Sequence, residues 1–83
     1  MLKIPGIREA LAGQVVAAIG AIRNLGLKKG PSISETLDWA QSLIALQVED
    51  LTPEVVKETL TAIVKYRADA DLVKENIAKV VNP

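Results

Sequence analysis

The chain has 83 residues, enough for one small domain, with ten Lys plus Arg against ten Asp plus Glu and no net charge. That balance gives no field to draw it to nucleic-acid phosphates or an acidic membrane surface. The absence of cysteine and histidine removes disulfide scaffolds, thiol and imidazole catalysis and most zinc or haem ligation. With 49% hydrophobic residues but only 2% aromatics, Trp39 and Tyr66, the core must be aliphatic, which suits packed helices.

MLKIPGIREA lacks the apolar run of a signal peptide, and no stretch reaches the roughly 20 apolar residues of a membrane span. A soluble, cytoplasmic protein is expected. The first predicted helix covers 6–25, because Ile7, Leu11, Val15, Ala18, Ile22 and Leu25 recur at steps of four and three. A second stripe of the same helix, Gly13, Ala17, Gly20 and Asn24, is made of small residues. Each glycine costs a helix about 1 kcal/mol relative to alanine. Close approach of another element would account for that cost, either a neighbouring helix of the same domain or another domain or subunit docking at Gly13 and Gly20.

GLKKGP, residues 26–31, is a breaker-rich loop carrying Lys28 and Lys29. Ser32 and Glu35 then stand in the S-x-x-E order of a capping box, in which the serine oxygen accepts a backbone N–H and the glutamate reaches back to the serine N–H. The second helix is predicted over 33–47, with Ile33, Leu37, Ala40 and Ile44 as its apolar edge, Leu43 and Leu46 widening it, and Glu35, Asp38 and Ser42 on the polar side. Trp39 is a core anchor or a contact to another domain. Glu35 is a cap and Asp38 a solvated or first-turn charge, or both are polar contacts across a domain or subunit boundary.

Thr52 as N-cap and Pro53 at the first helical position open a third predicted helix, 53–66, with Val56, Leu60, Ile63 and Val64 inward. Asp69 is read as the cap of a fourth, 69–81, on which Leu72, Val73, Ile77 and Val80 are apolar and Glu75 and Lys79 are an i,i+4 pair. The pattern leaves open whether RADAD, 67–71, breaks the helix or is run through. With no alternating stretch for a strand, the expected architecture is all-α, a bundle of four helices in one domain, 1–83.

No phosphate loop, nucleophile elbow or carboxylate metal cluster occurs, so catalysis by this chain alone is not expected, and no metal site is assigned. P-S-x-x-E-T-L-D-W-A (Pro31 to Ala40), E-D-L-T-P-E-V-V-K-E-T-L (Glu49 to Leu60) and K-Y-R (Lys65 to Arg67), with P-G-I (Pro5 to Ile7) ahead of them, occur in one register. Together they resemble the C-terminal helical region of MoxR-type AAA+ ATPases, in the branch associated with von Willebrand factor A domain proteins and with carbon monoxide dehydrogenase maturation.

The resemblance implies a small helical lid that follows an α/β core, covers the ATP and Mg held there, and packs on neighbouring subunits of a ring. It implies a piece of a longer ATPase, Met1 then being a supplied start codon, and a von Willebrand factor A domain protein as a partner. Many such lids present an arginine, sensor 2, to the nucleotide. Here the corresponding position is close to Ser34, which carries no charge, and Lys28 and Lys29 are the nearest substitutes, as point charges without the bidentate fork of arginine. The alternative is an independent helical protein-interaction domain.

Overall fold

A computed structural model of the protein describes residues 7–82. Met1, the Pro5 and Gly6 of the P-G-I match and the predicted helix start at Gly6 lie outside the described residues. All regular structure among the described residues is helical: α1 (Glu9–Arg23), α2 (Ile33–Ala45), α3 (Pro53–Thr59) with a 3-10 turn (Leu60–Ala62), α4 (Arg67–Glu75) and α5 (Ile77–Val81). The all-α bundle expected from the sequence is what the chain adopts, with four helices of seven residues or more and a short fifth. None of the described helices is long and apolar enough to cross a membrane.

In α1 the stripe read from the sequence is the core face. Leu11, Val15, Ala18 and Ile22 are buried, and Ile7 and Leu25 pack against the core as half-buried flanks. The helix ends at Arg23 with Asn24 as C-cap, two residues before the predicted end. Gly26 then takes φ +76, a left-handed conformation that glycine adopts without the Cβ clash of other residues.

The capping box of α2 forms in full. Ser32 Oγ accepts the Glu35 N–H at 3.1 Å, and the Ser32 N–H donates to Glu35 Oε1 at 2.9 Å. The core edge of α2 differs from the predicted one. Thr36, Trp39, Ala40 and Leu43 are buried, whereas Ile33 is 73% and Leu46 59% exposed. The indole is the largest fully buried side chain, and the narrow arc that centres it leaves Ile33, Leu37 and Ile44 on the flank. Leu46 is on the correct side but sits at the C-cap, where the helix has run out. There the Val48 N–H reaches Leu43 O at 3.0 Å and the Gln47 N–H reaches Ile44 O at 2.9 Å, a Schellman closure with Gln47 at φ 57 where glycine is usual.

Thr52 caps α3 by accepting the Val55 N–H at 3.3 Å, and Leu51 beside it is buried. The predicted continuation to Tyr66 fails at Thr59. Its hydroxyl donates to Val55 O and accepts the Trp39 Nε1–H, both at 2.7 Å, and its backbone has left helical geometry at φ −105, ψ 6. Back-bonding of a threonine to the carbonyl four residues earlier competes with the helical ladder. The chain tightens into the 3-10 turn, yet Leu60, Ile63 and Val64 are still buried as expected.

The fourth helix starts two residues earlier than predicted, with Tyr66 as N-cap and no side-chain capping bond, so RADAD lies within its first turns. The break falls instead before Tyr66 and again at Asn76, whose Nδ2 donates to Leu72 O at 2.9 Å. That second break separates Glu75 from Lys79, and the expected ion pair is absent: the pairs among the described residues are Arg8–Glu49 and Lys65–Glu35. α5 closes the bundle against α1 and α3, bringing Val80 into the core with Val73 of α4.

Candidate functional site

Residues 26–35 form one end of the bundle, and a distant side chain holds them there. Asp69, 3% exposed, accepts the backbone N–H of Lys28 at 2.9 Å on one carboxylate oxygen and that of Lys29 at 3.2 Å on the other. Asp69 is therefore a clamp on the lysine loop and not the cap of its own helix, a correction to the sequence reading. Arg23 Nη2 donates to Pro31 O at 3.1 Å and ties the same loop to the end of α1.

Main-chain clamping leaves the two lysine side chains exposed. Lys28 Nζ lies 6.0 Å from the centre of the Tyr66 ring, at the outer edge of cation–π range. Ser34 is exposed on the first turn of α2, with Glu35 following it. The Glu35 carboxyl is held below its ordinary value first by the Ser32 backbone N–H, helped by the Ser32 hydroxyl, the charge of Lys29 and the contact with Lys65, while partial desolvation opposes the shift. Glu35 Oε2 is 3.5 Å from Lys65 Nζ. Lys28, Lys29, Ser34 and Glu35 thus share one end of the molecule, and Glu35 is fully engaged as a cap and ion-pair partner.

Gly13, Ala17, Gly20 and Asn24 are all exposed, on the side of α1 away from Val15 and Ile22. A Cβ built on Gly13 or Gly20 meets nothing within 4 Å, so among the described residues no helix packs on this stripe. Beside it, Val16 is 50% exposed and lines, with Gly20, Arg23 and the exposed Ile33, an open cleft of about 320 Å³ between α1 and α2. Asp38 is exposed on α2. Trp39 is not part of any surface: it is completely buried and its N–H is satisfied by Thr59.

No group of three or more potential metal-ligating side chains converges among the described residues, and none of their buried side-chain donors or acceptors is idle. The sequence reading missed Val16, which falls between its two stripes, and took Ile33 for core. It also missed the clamp, since nothing local marks Asp69 as the partner of a loop some forty residues away. No family model matches this chain, and neither a curated protein nor a solved structure does.

Proposed function

We propose that this chain is the lid domain of a MoxR-type AAA+ ATPase, a docking module without catalysis of its own. The observation that best supports the reading is the exposed face of α1: two glycines kept in a helix at a cost of about 1 kcal/mol each, with nothing among the described residues within reach of either, bordered by exposed Val16 and Ile33. Such a face suits an occupant that comes close to the backbone, here the α/β core of the same ATPase or the next subunit of its ring. The motif register that resembles MoxR lids supplies the identity of that occupant.

On this reading the ATP and Mg are held by the core domain, and the clamped loop brings Lys28 and Lys29 toward the phosphates from the end of the bundle where Ser34 stands. A loop fixed through its main chain by Asp69 can present ammonium groups from a defined base. Hydrolysis would change the lid angle and pass motion to a client, such as a von Willebrand factor A domain protein. The test is the coding sequence upstream of Met1 followed by the intact protein. A phosphate loop in frame, with turnover reduced in Gly20→Leu and in the Lys28→Ala, Lys29→Ala double variant, is the expected result. A frame without a phosphate loop overturns the ATPase assignment, and Gly20→Leu losing binding of some other protein would then favour an independent interaction domain.

A further inference from the structure

On the flank formed by α3, the 3-10 turn and α4 lies an open cleft of about 290 Å³ whose charged lining is Lys57, Lys65, Arg67 and Lys74, with Thr61 and Tyr66 as its uncharged polar groups and the buried Leu60 and Val64 among its apolar ones. No carboxylate lines it. Ten cations balance ten anions over the whole chain, so this imbalance is local. Lys65 has Glu35 at 3.5 Å, while Lys57, Arg67 and Lys74 have no ion-pair partner among the described residues. Like charges gathered round one depression repel, and an anionic occupant relieves that repulsion.

We infer that this cleft docks a short acidic peptide segment of a partner protein, carboxylates on its cations and an apolar side chain against Leu60 and Val64. The four cations come from α3, from the segment ahead of α4 and from the two ends of α4, which suits several separate carboxylates better than the convergent donors a single phosphate needs. A long polyanion or a lipid surface fits poorly, because Glu54, Glu58, Asp71 and Glu75 are exposed on the same helices and would meet any negative surface that extended past the cleft. The volume matches one or two side chains. This inference is independent of the ATPase assignment and is tested on the chain itself.

The probe is a short synthetic peptide alternating glutamate with leucine, titrated into the isotopically labelled chain while backbone amide shifts are followed. Saturable shifts confined to residues 57–74 are expected, with affinity falling about tenfold or more between low salt and about 0.5 M salt, as screening shortens the reach of each charge. Lys57→Glu with Lys74→Glu, both on exposed positions, should retain the amide spectrum of a folded bundle and weaken the peptide at least about tenfold. Four results would each overturn the inference: equal binding of the peptide with glutamine in place of glutamate, shifts centred elsewhere, displacement by inorganic phosphate at comparable concentration, or self-association through the cleft without peptide.

Discussion

Two helix starts at the same end of this bundle are built in opposite ways. α2 carries its own cap: Ser32 and Glu35 exchange two hydrogen bonds three residues apart, and both are exposed or half-exposed. α4 begins at Tyr66 with no side-chain cap, and its acidic residue, Asp69, turns inward to hold the main chain of Lys28 and Lys29. One start is self-contained. The other spends its carboxylate on a contact between distant parts of the chain, so its integrity and that of the lysine loop are one event.

The difference is sharpest in Asp69→Ala. Two charge-assisted bonds disappear together and two backbone donors lose their partner, for which a loss of about 3 kcal/mol is expected. That is a large share of the roughly 4 to 12 kcal/mol available to a domain of this size. Denaturant unfolding measures the loss, and hydrogen exchange locates it: the amides of Lys28 and Lys29 should exchange faster than in the parent chain before the bundle opens. Unchanged protection at both amides would break the comparison, because the clamp would then not be held in solution.

Ser32→Ala probes the other start and should cost only about 1 kcal/mol, the usual worth of an N-cap hydroxyl. Its exchange signature is confined to Glu35, whose N–H donates to the hydroxyl. A similar magnitude with the opposite sign is expected at the far end of α2. Gln47 pays for a left-handed φ of 57 at a Schellman position, so Gln47→Gly should raise stability by about 1 kcal/mol in the same unfolding assay. A loss there would mean that the Gln47 side chain contributes more than its backbone strain costs.

What the sequence made legible follows the same division. The capping box, the Thr52–Pro53 start and the α1 core stripe all rest on residues within a turn or two of each other, and each appears as read. The errors fall where partners are remote. The predicted run to Tyr66 ends at Thr59 because a tryptophan twenty residues earlier donates to its hydroxyl while that hydroxyl bonds back to Val55. Ile33 satisfies helical spacing as well as Leu43 does, and only the placement of the indole decides that Leu43 goes in and Ile33 stays out. The site shows the same limit: Gly13 and Gly20 stand out in the sequence by their cost to a helix, but that no described element packs on either is visible only when the space around each is known.

The smallest effect concerns pH and returns to α2. Glu35 is held below the ordinary glutamate value, about 4.3, chiefly by the Ser32 N–H. A carboxyl whose folded value is depressed contributes stability that is complete above the unfolded value and is lost as pH falls through the folded one. At neutral pH the contribution is therefore whole, and it should fade only as acid is added below about pH 4.3. Because the main-chain N–H provides the largest part and survives Ser32→Ala, that variant should move the Glu35 titration upward without returning it to the ordinary value. Carboxyl carbon shifts followed by NMR read this directly. A Glu35 that already titrates at the ordinary value in the parent chain would mean that the reciprocal bond of the box is not formed, and the self-contained start of α2 would rest on Ser32 alone.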